Sequence, residues 1–263
     1  MQGNLRKMIT EHQHPVLYKL PLSDSLIDLN PYIGKEINLN FLGQINCIKC
    51  GRKTNKSFSQ GFCFPCFQSA PETEECVLRP ELCRAHEGVA RDMEFAKNHC
   101  LIDHHVYLSL TSSIKVGVTR HTQVPTRWID QGASQAVIIA KTPNRHTAGL
   151  IEVALKNHLA DKTQWQSMLK GIVKGNSNLL EEKERIMDLL PVDLQQYFVT
   201  ENSVTEIEYP LSQIPEKVKS LNFDKEPAVN GTLTGIKGQY LIFDNLYVIN
   251  IRKFAGYMVE FHT

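Results

Sequence analysis

The stretch CIKCGRKTNKSFSQGFCFPC, residues 47–66, holds two cysteine pairs of identical spacing, Cys47 with Cys50 and Cys63 with Cys66. Each C-x-x-C turn places two sulfurs about one tetrahedral edge apart. The twelve residues between the pairs suit a short hairpin that returns the second pair to the first. Four thiolates in this spacing are typical of a zinc ribbon, so we predict a structural Zn²⁺ bound by these four cysteines.

Two glycines favour this interpretation. Gly51 follows the first pair and Gly61 precedes the second, where tight turns need positive φ or close backbone approach. The alternatives are a pair of disulfides or buried free thiols. The N-terminus shows no signal-peptide pattern, and a cytoplasmic setting disfavours disulfides. Zinc ribbons are scaffolds as often as they are binding surfaces, so the motif predicts a ligand and not a function.

The composition is that of an ordinary globular protein, with 42% hydrophobic and 22% charged residues. A chain of 263 residues can hold one large domain or two to three small ones. No apolar run is long enough to span a bilayer. We therefore expect a cytoplasmic protein without a membrane partner, and the sequence leaves its oligomeric state open.

Charge is distributed unevenly, although the formal net charge is only +1. Residues 104–175 carry nine Lys and Arg against three acids, Asp130, Glu152 and Asp161, whereas residues 179–198 carry five acids against two bases. A basic segment beside an acidic one is compatible with a phosphate-facing surface. Solvated charged faces are the alternative explanation.

The pattern of strands and helices predicts an α+β protein. We expect N-terminal strands in residues 1–46, a zinc ribbon and cysteine-rich segment in 47–103, an α/β core in 104–175, an acidic helical connector in 176–199, and a β domain in 200–263. A few N-terminal strands cannot bury a face alone. They are therefore expected to join the C-terminal strands in one discontinuous β-barrel or sandwich.

A second cysteine cluster follows the ribbon. Cys76, Cys83 and Cys100 have irregular spacing, and His86 or His99 could supply a fourth ligand to a second zinc ion. The alternative is a set of buried reduced thiols that pack against the ribbon.

The basic segment shows the order β-β-α-β-α, and its last helix is expected from Thr147 to Leu159. On that helix Glu152 lies in line with apolar neighbours, which is costly for a carboxylate unless it is paired or binds a metal. The alternative is a glutamate at the rim of the core, paired with Arg127 or Lys156.

This segment resembles the GIY-YIG nuclease superfamily, whose core has the same order of elements. Tyr107 matches the tyrosine that ends the first motif, and Lys115 before Val-Gly matches the lysine form of the second. Arg127 and Glu152 match the helical arginine and the metal-binding glutamate. The departures are His105 and Val106 for the Gly and Ile of the first motif, and Lys115 for the second tyrosine.

The resemblance implies a divalent-metal-dependent endonuclease acting on DNA or RNA. Tyr107 would orient or deprotonate water, Arg127 would neutralise phosphate charge, Lys115 would contact phosphate, and Glu152 would bind Mg²⁺ or Mn²⁺. One alternative is a nucleic-acid-binding protein that has lost turnover, which Lys115 in place of tyrosine favours. Another is an interaction scaffold held together by zinc.

The arrangement of a ribbon before VYLSLTSSIKVGVTR (106–120) and PTRWIDQGA (125–133) is also similar to an uncharacterised bacterial family, domain-of-unknown-function family 2797. In that family the second cluster carries additional cysteine and histidine positions, which here are Arg84 and Ala90. The similarity implies the order of the domains and no particular activity.

Overall fold

The computed structural model describes residues 1–159 and 164–263, so Asp161 of the basic segment lies outside the described residues. In chain order, the strands are β1 Gln2–Asn4, β2 Ile9–Glu11, β3 Leu17–Leu22, β4 Ser25–Asp28, β5 Glu36–Asn46, β6 Lys53–Thr54, β7 His104–Leu110, β8 Ile114–Arg120, β9 Gln135–Thr142, β10 Val204–Glu206, β11 Lys219–Ser220, β12 Ala228–Lys237, β13 Tyr240–Phe243, β14 Tyr247–Asn250 and β15 Tyr257–His262. The α-helices are α1 Phe64–Ser69, α2 Met93–His99, α3 Thr126–Asp130, α4 Arg145–Lys156, α5 Trp165–Leu169, α6 Leu179–Met187 and α7 Val192–Gln195.

The described chain forms two compact units. The first comprises residues 1–68, 129–132 and 207–263, and the second comprises residues 69–128 and 133–206. No described helix is both long enough and apolar enough to cross a membrane.

The first unit contains a sheet in which N-terminal and C-terminal strands pair. Its order is β1-β15-β5-β12-β13-β14-β11, with β6 added to β5, and a separate sheet has the order β2-β3-β4. Strand β5 pairs antiparallel with both β12 and β15, so the two ends of the chain share one structure as expected. Alternate residues of β5, including Ile37 and Leu39, are buried in the core.

The large sheet is open, which corrects the expectation of a β-barrel. Its terminal strands β1 and β11 are three and two residues long and do not pair with each other within the described chain. Such short edge strands present too few backbone groups to close the sheet, and a barrel requires closure. The α+β class is confirmed.

The second unit is built on an antiparallel sheet of order β10-β9-β7-β8, with β7 in the interior of the sheet. Val106, Leu108 and Leu110 of β7 pack into a core with apolar residues of α4 and α6. Strand β10 was expected with the C-terminal strands, but it pairs with β9. The order β7, β8, α3, β9, α4 agrees with the order read from the sequence.

Two asparagines set where helices of this unit begin. The Asn144 side chain accepts a hydrogen bond from the backbone N–H of Thr147, so α4 begins at Arg145, two residues before the expected start. The helix ends at Lys156 and not at Leu159. Asn178 caps the acidic helix α6 in the same way, within the segment 176–199 that was expected to be helical.

Candidate functional site

The first cluster is defined as Cys47, Cys50, Cys63 and Cys66. Its four sulfurs all lie within 4.8 Å of one another, and the Sγ atoms of Cys50 and Cys63 are 3.8 Å apart. Four sulfurs bound to one Zn²⁺ at about 2.3 Å in a tetrahedron are about 3.8 Å from each other. All seven cysteines of the chain are free, so the disulfide alternative is not realised. The donor set and its spacing fit a zinc ion.

The first cysteine pair occupies the tip of the β5–β6 hairpin. Strand β5 ends one residue before Cys47, and Asn46 pairs with Lys53 of β6. The Cys47 N–H donates to the Arg52 carbonyl at 2.9 Å, and Gly51 turns the chain with a φ of 73°. The hairpin therefore encloses the first pair, whereas the sequence suggested a hairpin between the pairs.

The second pair lies at the start of α1 and is brought to the first by a close backbone approach. The Ile48 N–H donates to the Gly61 carbonyl at 2.8 Å. Gly61 has a φ of 131°, and a Cβ there would lie 2.5 Å from Cγ2 of Ile48. Cys63 begins the turn that leads into the helix, because its carbonyl accepts from the Phe67 N–H at 2.8 Å. Glycine is thus required at position 61 to hold the pairs together.

Backbone N–H groups point at a sulfur of this cluster. Burial acts to raise the pKa of Cys47, but hydrogen bonds from the backbone of Cys50, Cys63 and Lys49 outweigh it and lower the pKa to about 6. The Lys49 nitrogen is 3.4 Å from Cys47 Sγ. A thiolate is the form that binds a metal ion, so these turns prepare the site for a cation.

The second cluster is defined as Cys76, Cys83 and Cys100. Its three sulfurs also lie within 4.8 Å of one another, and all three residues are buried. The thiols of Cys100 and Cys76 can donate to the sulfur of Cys83, which lowers the pKa of Cys83 to about 2. Both clusters could therefore hold zinc.

The second cluster is assembled by single-turn 3₁₀ helices and by the first residue of α4. Cys76 lies within the turn Glu75–Val77, and Cys83 follows the turn Pro80–Leu82. The Arg145 guanidinium donates to the carbonyls of Cys76 and His99 at 3.2 and 3.0 Å, and its backbone N–H donates to the Cys100 carbonyl at 2.8 Å. Arg145 thus joins segments that are distant in sequence.

Neither histidine proposed as a fourth ligand belongs to the group of sulfurs. The side chain of His86 is 33% exposed, and its ring stacks on His146 at 4.4 Å. The ring of His99 stacks on Phe95 at 3.7 Å, and its Nδ1 is 2.9 Å from the Phe95 carbonyl oxygen. Arg84 stands where the similar uncharacterised family has a cysteine or histidine. Here it forms an exposed ion pair with Glu87.

Glu152, the predicted metal ligand of the α/β core, is largely buried. Its side chain is 13% exposed, and its Oε2 is 3.5 Å from Nζ of Lys156, the pairing given above as an alternative. Burial raises the pKa of Glu152; Lys156 and Arg127 act against that shift, and the Glu81 carboxylate adds to it. The structure therefore brings Arg127 and a second carboxylate within electrostatic reach of Glu152.

Glu81 is a residue that the sequence interpretation missed. Its Oε1 is 3.3 Å from Nε of Arg79, while its Oε2 is buried without a hydrogen-bond partner. Its backbone packs closely on α4 at Gly149, where an added Cβ would lie 2.2 Å from the Glu81 nitrogen, so only glycine allows this approach. Gly149 lies inside a helix, three residues before Glu152, and this glycine was the sequence feature that could have indicated close packing.

Tyr107 and Lys115 lie on strands β7 and β8, and not on the helices that carry Arg127 and Glu152. Tyr107 pairs with Gly117 across the β7–β8 hairpin, and Lys115 pairs with Ser109. Since the neighbouring residues 106 and 108 face the core that contains α4, the two-residue period directs Tyr107 to the other face. There its fully buried ring lies 5.8 Å from that of Trp128. The structure places Arg127 within electrostatic reach of Glu152 but leaves the Tyr107 side chain in the interior.

A model of the DUF2797 family, described as a protein of unknown function, matches residues 34–259. The chain belongs to the DUF2797 family. No curated protein and no solved structure gives a significant match. The family assignment for this DUF2797 protein covers both cysteine clusters and the candidate catalytic residues, and their chemistry must be inferred from the residues themselves.

Proposed function

We propose that this DUF2797 protein binds nucleic acid through its second unit, and that Glu152 holds a divalent cation for phosphodiester hydrolysis. The four cysteines of the first cluster form a zinc ribbon whose ion is structural. The observation that carries the proposal is a buried carboxylate, Glu152, with Arg127 and Glu81 in electrostatic reach. The GIY-YIG resemblance of residues 104–175 supplies the reaction class.

The two carboxylates suit Mg²⁺ or Mn²⁺. Mg²⁺ commonly binds one or two carboxylates and keeps waters and substrate phosphate as its other ligands. The Oε2 of Glu81 is buried without a hydrogen-bond partner, so it retains capacity to accept, and this carboxylate lies within electrostatic reach of Glu152. When bound, such an ion lowers the pKa of a coordinated water and neutralises charge on the phosphate.

The remaining groups act on the substrate. Arg127 would neutralise the negative charge that develops on the phosphate oxygens as water adds to phosphorus and the bond to the leaving oxygen breaks. The basic residues of 104–175 would attract the phosphate backbone in a salt-dependent manner. Lys156 would release Glu152 when the cation binds, since both compete for the same carboxylate oxygen.

A second candidate is nucleic-acid binding without turnover. The burial of Tyr107 favours it, because a fully buried phenol cannot orient a water on an exposed phosphate without a structural change. Lys115 also favours it, because this lysine stands where the GIY-YIG superfamily has its second tyrosine.

A cleavage and binding assay tests the proposal. The purified protein is incubated with linear, branched and single-stranded DNA and RNA, with Mg²⁺ or Mn²⁺, beside Glu152→Gln and Arg127→Ala. We expect cleavage that falls about 100-fold or more in either variant, as for loss of a group that stabilises the transition state. The control Glu184→Gln changes an exposed carboxylate of the same unit.

The outcomes separate the two candidates. Cleavage that survives Glu152→Gln would show that the site is elsewhere. Binding without cleavage on every substrate would establish the second candidate, and absence of binding to every substrate would overturn both.

Stability against pH gives an independent readout of the Glu152 site. Because burial raises its pKa, the folded state holds the Glu152 proton more tightly than the unfolded state. The stabilisation from that proton is complete below the ordinary pKa of glutamate and is lost as the pH rises through the raised pKa. Without divalent cations, Glu152→Gln should therefore have a higher melting temperature than the native chain at pH 7, and the difference in melting temperature should shrink towards pH 4. A native chain that melts higher than the variant at pH 7 would contradict the expectation.

A further inference from the structure

His104, the first residue of β7, is buried and incompletely hydrogen-bonded. The residue is 1% exposed, and its Nδ1 is 2.7 Å from the carbonyl oxygen of Ile102. Its other ring nitrogen, Nε2, is buried without a hydrogen-bond partner. A buried polar atom left in this state is unfavourable, because it has lost its hydrogen bonds to water and gained none from the protein. A group that binds Nε2 would therefore stabilise the buried His104 side chain.

The hydrogen bond to Ile102 decides what kind of partner is suitable. A carbonyl oxygen can only accept, so Nδ1 carries the proton and Nε2 presents its lone pair. Metal-binding histidines commonly donate one ring N–H to a backbone carbonyl in this way, which fixes the tautomer and orients the ring. Burial lowers the pKa of His104 to about 4, so the ring remains neutral.

His104 also shares neighbours with the second cluster. Arg145, Arg120 and Cys83 all lie within electrostatic reach of its imidazole. The Thr142 hydroxyl donates to the His104 carbonyl at 3.2 Å, and Arg145, three residues later, binds the Cys100 carbonyl through its backbone N–H. The end of β9 and the start of α4 therefore hold both the histidine and the cluster.

We propose that Cys76, Cys83, Cys100 and His104 form a second zinc site with three thiolate ligands and one imidazole ligand. Three sulfurs and one ring nitrogen are a known structural set for Zn²⁺, and thiolates select it over Mg²⁺ or Ca²⁺. His104 lies outside the group of mutually close sulfurs, so its ring must close the remaining distance when the ion binds. This site goes beyond the proposed function, which does not use it.

His104 is a better ligand than the two histidines read from the sequence. His86 is partly exposed and stacked on His146, and the Nδ1 of His99 already meets the Phe95 carbonyl while its ring covers Phe95. Neither has a ring nitrogen among the buried atoms without a partner in the described chain, whereas His104 does. The charge of the site is also accommodated. Three thiolates and one Zn²⁺ leave one negative charge, and Arg145 lies within electrostatic reach of all three cysteines.

The test is metal analysis of the full chain with and without His104. We expect two zinc ions per native chain, and one in Cys83→Ser. His104→Ala should lower the affinity for the second ion, measured by competition with a chelator, by at least about 10-fold. The loss of an outer-shell partner alone lowers metal affinity by that much. The control His99→Ala should keep both ions. His104→Cys provides a ligand of the other class, so it should keep two ions even if the alanine variant fails to fold.

Cobalt substitution identifies the ligands directly. The visible spectrum of the native chain should contain contributions from a four-sulfur site and from a three-sulfur, one-nitrogen site, and His104→Cys should convert the second into the first type. A native chain that binds one ion, or a His104→Cys spectrum identical to that of the native chain, would overturn the proposal.

Discussion

The two cysteine clusters bring their sulfurs equally close, but they are built in different ways. The first comes from twenty consecutive residues, 47–66, and its turns are set by glycines beside the cysteines. The members of the second are separated by seven and seventeen residues. They meet because single-turn helices pack against α4, and because Arg145 binds the carbonyls of two of the cysteines. One site is thus encoded locally, and the other depends on tertiary packing.

Each cluster also depends on a glycine that allows a close approach. At Gly61 a Cβ would meet the Ile48 side chain, whereas at Gly149 it would meet the backbone of Pro80 and Glu81. A side chain can move aside and a packed backbone cannot, so the two positions should differ in their tolerance of alanine. The following predictions, from the largest effect to the smallest, test this difference between the clusters.

The largest effect is expected from Cys63→Ser. Loss of one ligand should release the ion of the first cluster, and residues 47–66 should lose their order, because structural zinc contributes about 10–16 kcal/mol to the folding of small zinc domains. Hydrogen exchange should increase in this segment, and elemental analysis should show one zinc fewer. Unchanged protection of residues 47–66 would contradict local encoding. Cys83→Ser is the matched variant and should spare this segment.

Gly149→Ala should disturb the second cluster and leave the first intact. Helix propensity would favour alanine, but a Cβ 2.2 Å from the Glu81 nitrogen forces the turn Pro80–Leu82 away from α4. We expect a loss of about 1–3 kcal/mol in unfolding free energy, as for overpacking of a core. Denaturant titration measures it, with Leu150→Ala on the exposed side of the same helix as the control. A gain in stability would refute the close contact.

Gly61→Ala should disturb the first cluster to a smaller extent. The substitution combines an unfavourable φ of 131° with a contact that the Ile48 side chain can partly relieve. We expect a loss of about 1–2 kcal/mol in unfolding free energy. Gly51→Ala, with a φ of 73° and nothing within 4 Å of the added Cβ, isolates the backbone strain. Equal losses in the two variants would show that the Ile48 contact is unimportant.

The smallest effect is expected from Arg145→Ala. Its guanidinium makes hydrogen bonds to the carbonyls of Cys76 and His99, so their loss should cost about 1 kcal/mol. The second zinc ion should also be released faster to a chelator, while the first is unaffected. Arg84→Ala removes an exposed ion pair from the same segment and should change neither quantity. Faster release of the first ion would contradict the assignment of Arg145 to the second cluster.

The candidate catalytic site was only partly predictable. The sequence placed Arg127 and Glu152 on helices of one α/β segment, and the structure brings them within electrostatic reach. Glu81 could not be predicted, because nothing local indicates which turn packs against Gly149. His104 was missed for a related reason. Its place in the sequence does not indicate a ligand, and only its burial and the lack of a hydrogen-bond partner for its Nε2 do so.

The sequence by itself determined the spacing of the first cluster, the order of strands and helices in the basic segment, and the α+β class. These depend on turns, caps and hydrophobic periods, whose causes lie within a few residues. Tertiary structure decided that the large sheet stays open, that β10 joins the second unit, and that Glu81 and His104 come within electrostatic reach of their candidate sites. The physical reason is that pairing and burial between distant segments depend on which surfaces fit together, and a short stretch of sequence does not contain that information.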